Sequence, residues 1–203
     1  MDNNIIYTSK YSFNEINIYL PDILRYMGYA DSVPDGTVLH LIEDFLKSAE
    51  QVITYKICYL KQNICIKKDV VDFGFMKPKS STLAGHLSGC SQAVIFAATI
   101  GTMFDREFIS ASQISALNSL VIDSIGTAAV EALCDKFCND LSADGMIKSK
   151  MRFRYSAGYG DFSIEHQSDI LRSLDSFRKI GLTTTQNLML TPTKSVTAVI
   201  GVD

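Results

Sequence analysis

Residues 93–100 read AVIFAATI, a run with no charge and no turn former, and the fold turns on it. It is far too short to cross a bilayer, which takes roughly 18–20 residues. Its β-branched Val94, Ile95, Thr99 and Ile100 favour a strand over a helix. Unbroken apolarity, in place of alternation, predicts a central strand covered on both faces.

Toward the N-terminus the pattern changes to period two. Ile53, Tyr55, Ile57 and Tyr59 alternate with Thr54, Lys56 and Cys58, and Ile64 and Ile66 resume the alternation after a KQN turn; the pair reads as a hairpin. Before it, Pro34 and Asp35 open a helix with Val38, Leu39, Ile42, Phe45 and Leu46 on one face, and Pro21 opens a shorter helix that Gly28 stops. Between hairpin and central strand, KPKSS at 77–81 breaks the chain, and Ser81-Thr82 caps a helix toward Gly89.

Toward the C-terminus a long helix is predicted from about Ser115 to Leu141, with Leu117, Leu120, Val121, Ile125, Ala128, Ala129 and Leu133 as its core stripe and an end near Asp144-Gly145. MRFRY at 151–155 reads as a short strand and GYGDFS as a loop. Asp169 to Ile180 reads as one amphipathic helix, with Ile170, Leu171, Leu174 and Phe177 inward and Gly181 as its stop. NLML and SVTAVIGV close the chain as strands. Helices and strands mix without strict alternation, so the expected fold is α+β, a mixed and largely antiparallel sheet packed with helices. Residues 1–78 are expected to form an N-terminal helical and hairpin segment of the same domain, and 79–203 its core.

The chain has 203 residues, 47% hydrophobic and 20% charged, with a net charge of -3, which suits one globular domain and gives no basic footprint for nucleic acid. MDNNIIYTSKYSFNE lacks the basic and apolar regions of a signal peptide. Neither nucleic acid nor a membrane is expected as a partner. Five cysteines without a CxxC argue against a disulfide framework and for reduced thiols in the cytoplasm. Cys134 and Cys138, four residues apart, read as buried thiols; no metal site is expected.

The stretch that promises chemistry is RYSAGYGDFS, Arg154 to Ser163. Gly158 and Gly160 permit a left-handed backbone and close approach of a ligand to amide groups. Arg154 offers a planar fork for a carboxylate, and Asp161 an acceptor for an ammonium or a ribose hydroxyl. Together they suit a small zwitterion such as an amino-acid moiety, though spacing alone favours a tight turn with a surface arginine and aspartate. On the long helix, Asp123, Thr127, Glu131 and Asp135 share a face; this reads as a solvated face, with Glu131 among small apolar neighbours the residue placed to enter a pocket. His40, His86 and His166 lack metal-ligand spacing. No serine sits in a GxSxG elbow, and no catalytic residue is expected.

At this loop the sequence resembles the AdoMet-binding activation domain of cobalamin-dependent methionine synthase. The family pattern is an arginine, three residues, Gly-Tyr, a helix, a Thr-Glu-Ser segment and a Pro-x-x-Ser-Val strand. Arg154, Gly158 and Tyr159 match its first part; Thr185, Gln186, Asn187, Pro192, Ser195 and Val196 match its second, with Gln-Asn for Glu-Ser. The resemblance covers roughly residues 80 to 202. It implies that residues 79–203 form an AdoMet-binding, activation-like core of a stand-alone activation subunit, using Arg154, Ser156, Gly158 and Tyr159; the reading of the residues themselves adds Gly160, Asp161 and Glu131 to the expected site. Its ligand would be S-adenosylmethionine. Its partner would be a cobalamin-carrying methionine synthase or another corrinoid protein, whose cob(II)alamin is reductively methylated, with a flavodoxin-type electron donor. The loop departs from the family after Gly-Tyr, where it continues Gly160-Asp161-Phe162. The family's N-terminal aspartate has no clear counterpart, and its C-terminal tyrosine pair falls beyond Asp203. A non-catalytic binding or assembly module for a corrinoid protein therefore stays open as the alternative.

Overall fold

The computed structural model describes residues 5–29, 32–143 and 150–203. In chain order the elements are β1 (Tyr7–Tyr11), α1 (Leu20–Tyr26), α2 (Gly36–Ser48), β2 (Tyr55–Asn63), β3 (Cys65–Lys67), β4 (Val70–Asp72), α3 (Ser81–His86) and β5 (Gln92–Thr99). Then follow α4 (Thr102–Ile114), α5 (Ala116–Ala143), α6 (His166–Ser173), α7 (Ser176–Ile180), β6 (Thr183–Thr184), β7 (Leu190–Thr191) and β8 (Ser195–Val202). The α+β expectation holds: among the described residues, one antiparallel sheet of order β1-β2-β5-β8 carries the fold.

AVIFAATI is the core of β5, paired with β2 on one side and β8 on the other. Its even residues Val94, Phe96 and Ala98 enter a core built with α2, α4 and α5. Its odd residues Ala93, Ile95 and Ala97 enter a second core with α3, α6, α7 and β4. Each face is dry, so residues 93–98 are all apolar, and the buried Thr99 hydroxyl accepts from the Gly101 amide and the Ser195 hydroxyl. β1 and β2, from the first 78 residues, lie in the same sheet as β5 and β8.

α5 is long and apolar enough to span a bilayer by length and composition alone. Val121, Ile125, Ala129, Leu133 and Phe137 instead fill the first core, and Leu120 of the predicted stripe is exposed. The predicted end at Asp144-Gly145 lies outside the described residues. Gly126 lets α4 close onto α5, because a Cβ there would fall against the Phe104 ring.

Several elements depart from expectation. KQN is no turn: β2 runs through it to Asn63, and the hairpin at Ile66 is β3 with β4, closed by Lys68 at φ 55°. α4 has no counterpart in the sequence reading. The helix expected over 169–180 is two, split by Asp175 at φ 45°, and Phe177 is exposed. Of NLML only Leu190 is strand.

MRFRY runs along the free edge of β8 as two isolated bridges, Met151 to Val202 and Tyr155 to Val199. Four steps on this segment meet three on β8, so it bulges by one residue, which re-aims side chains. Phe153 points into solvent, and Arg154 turns in toward α5.

Candidate functional site

The bulge and the turn that follows set the site. Gly158 donates to the Phe162 carbonyl at 2.7 Å and Phe162 to the Tyr159 carbonyl at 3.0 Å. The tight loop needs left-handed backbone at Gly158 (φ 96°) and Gly160 (φ 55°), which a Cβ would resist. Gly160 is also pressed against the Thr82 hydroxyl and the Tyr155 phenol, leaving no room for a side chain.

Asp161, read as an acceptor for a ligand's ammonium or ribose hydroxyl, faces α3. Its carboxylate accepts from the Ser81 amide and hydroxyl at 2.8 Å each, from the Thr82 amide at 3.1 Å, and from the hydroxyls of Ser80 and Thr82. Those bonds, from Ser80 first and then Thr82 and Ser81, hold its carboxyl far below the usual carboxylate range. It lines neither cavity described below, and anchors the loop to the start of α3.

Arg154 reaches two carboxylates of α5. Its Nη2 donates to Glu131 Oε2 at 3.0 Å and to Asp135 Oδ1 at 2.7 Å. Its Nη1 is buried and has no hydrogen-bond partner among the described residues. The expected ladder Asp123-Thr127-Glu131-Asp135 is thus no plain solvated face. Its lower half meets Lys194, whose Nζ lies 2.8 Å from both Asp123 Oδ1 and Thr127 Oγ1, and its upper half meets Arg154. Beneath Arg154, burial pushes the Cys134 thiol up beyond the ordinary range and the Cys138 thiol to about 11; both pack in the first core. Among the described residues no His, Cys, Asp and Glu group could hold a metal.

Glu131 and Arg154 form a wall shared by two cavities. The smaller, about 350 Å³, is lined by Ser156, Ala157, Tyr159, Gln167, Leu190 and Ser195–Thr197. Gln167 is fixed there by a 2.7 Å bond from its amide to the Leu188 carbonyl. The larger, about 450 Å³, brings in the N-terminal segment through Asn17, Tyr19 and Tyr26, opposite Ala128, Ala132 and Asp135. Its rim holds four carboxylates, from Glu15, Asp22, Glu131 and Asp135, against three cations. The structure therefore brings Arg154, Ser156, Tyr159 and Glu131 together, while Gly158 and Gly160 shape the loop that presents them. Asn17, Tyr19 and Tyr26 escape a sequence reading, because nothing local ties them to a loop so far along the chain. Asp135 is legible only as a member of the acidic ladder.

These features define a class: an α+β domain whose antiparallel sheet is covered on both faces, carrying a glycine-turn loop beside an arginine–carboxylate wall. No family model matches the chain, and no curated protein matches it by sequence. Among solved structures it is similar to the MetH reactivation domain bound to AdoHcy, with a TM-score of 0.71 over 99% of this chain and 79% of that chain, at 13% identity. The resemblance read from the loop and the closing strands thus extends, as a shared fold, along the whole chain.

Proposed function

We propose that this chain is an activation-type domain that binds S-adenosylmethionine for the reductive methylation of a corrinoid carried by a partner protein. What supports this most is a fold shared along 99% of the chain with a domain solved with AdoHcy, together with a loop whose Arg154, Ser156 and Tyr159 border one cavity. Fold alone does not carry function, so the fit of the residues matters. The amino-acid end of the ligand needs a cation for its carboxylate and an anion for its ammonium; Arg154 and Glu131 are that pair. Glu131, Asp135 and Arg154 carry a net negative charge among them, which suits a ligand bearing both ammonium and sulfonium. Tyr159 supplies an aromatic surface beside the adenosyl moiety.

S-adenosylmethionine would supply the sulfonium methyl group to partner-bound cobalamin reduced by one electron from a flavodoxin-type donor, the sulfonium's methyl–sulfur bond breaking and S-adenosylhomocysteine leaving. This chain's residues bind and orient the ligand. None of them is assigned to hold the corrinoid: His40 pairs with Asp44, His166 with Asp169, and His86 bonds the Phe153 carbonyl.

The test mixes the chain with a cob(II)alamin-loaded methionine synthase lacking its own activation domain, a reductant and S-adenosylmethionine. Methylcobalamin formed only when the chain is present is the expected result. No methylation and no co-migration of the two proteins would overturn the proposal. The second reading, a non-catalytic assembly module, is favoured by the engagement of Arg154 with two carboxylates of its own chain. It gives co-migration without methylation.

A further inference from the structure

Arg154 already holds two carboxylates, and only one of them suits a complex with a zwitterion. Both edges of a guanidinium that can grip a carboxylate bidentately include Nη2. Here Nη2 directs its bonds to Glu131 and Asp135, and Nη1 is buried. An incoming carboxylate can use the fork only by replacing one of these acceptors.

We propose that Asp135 is a resident competitor for the ligand's carboxylate. It holds Arg154 when no ligand is bound and yields on binding, while Glu131 stays and receives the ligand's ammonium. The proposal rests on the reading above, in which Arg154 takes the carboxylate of S-adenosylmethionine or S-adenosylhomocysteine. By distance alone Asp135, at 2.7 Å, is the tighter partner and Glu131, at 3.0 Å, the looser. Hydration decides otherwise. The Asp135 side chain is 68% exposed against 40% for Glu131, so Asp135 returns to water at little cost. Glu131 also lines both cavities, and Asp135 only the larger. An internal carboxylate of this kind sets selectivity, because a nucleoside without an amino-acid end has no need to displace it.

Calorimetric titrations of wild type, Asp135→Ala and Glu131→Gln with S-adenosylhomocysteine and with 5′-methylthioadenosine test this; the second probe keeps the adenosine and thioether but lacks the amino-acid end. Alanine suits an exposed helix position, so folding is not at risk. Removing an exposed ion-pair competitor should tighten S-adenosylhomocysteine about two- to five-fold in Asp135→Ala, leave 5′-methylthioadenosine unchanged, and Glu131→Gln should weaken S-adenosylhomocysteine. If Asp135→Ala binds S-adenosylhomocysteine no tighter than a wild type that does bind it, or gains equally for both probes, the competitor role is overturned and the function stands. If no protein binds either probe, the function itself falls, and this inference with it.

Discussion

Asp161 illustrates how a residue's chemistry is decided by what surrounds it. In sequence it is a free acceptor two residues past a Gly-Tyr turn; in space five donors from Ser80, Ser81 and Thr82 converge on it. The convergence of two segments about eighty residues apart has no local signature. The left-handed backbone at Gly158 and Gly160 is legible, because glycine enters that region without the steric cost a Cβ brings. The folded Asp161 carboxyl titrates below its unfolded value, so its stabilising contribution is fully present above about pH 4 and is lost as the pH falls toward the folded value. Asp161→Asn should therefore melt at a lower temperature than wild type at pH 7, and the gap should close as the pH drops below about 4. Thermal melts across pH 2–7 check this; equal melting at pH 7, or a gap unchanged at the acid end, would contradict the anchoring role.

At the scale of elements, legibility follows burial. β5 is readable because burial on both faces leaves residues 93–98 all apolar, and the buried part of α5 because its stripe is dense. α4 escapes because only Phe104 and Ala111 are fully buried in it, and the rest is largely polar. β1 escapes as a five-residue edge strand with its side chains largely in water. The single helix expected over 169–180 fails at Asp175, whose left-handed backbone starts a new helix and turns Phe177 outward. The α4–α5 contact gives a test by paired substitution. Gly126→Ala gains about 0.5–1 kcal/mol of helix preference but drives a methyl into the Phe104 ring. Overpacking costs about 1–3 kcal/mol, so the variant should lose stability. Gly85→Ala in α3, with open space around its position, should be neutral or stabilising. Urea midpoints that move the same way for both would mean that the helices are not so closely packed at Gly126.

At the scale of the whole molecule, the sheet is the frame and the site hangs from its β8 edge. The loop is held to β8 by Tyr155, to α3 by Asp161 and to α5 by Arg154, so three elements from both halves of the fold fix one short segment. The larger cavity then borrows Asn17, Tyr19 and Tyr26 from the N-terminal segment, which lies outside the stretch that carries the family motifs. A likeness of fold at 13% identity leaves function to these side chains, which on the proposed reading bind S-adenosylmethionine through Arg154. Calorimetric titration of wild type, Arg154→Ala and Arg154→Lys with S-adenosylmethionine tests it directly. Wild type should bind, and Arg154→Ala should lose about 10- to 150-fold in affinity, the worth of a charged hydrogen bond in a desolvated site, with little recovery in Arg154→Lys because an ammonium has no planar fork. No binding by wild type, or equal affinity in Arg154→Ala, would contradict it.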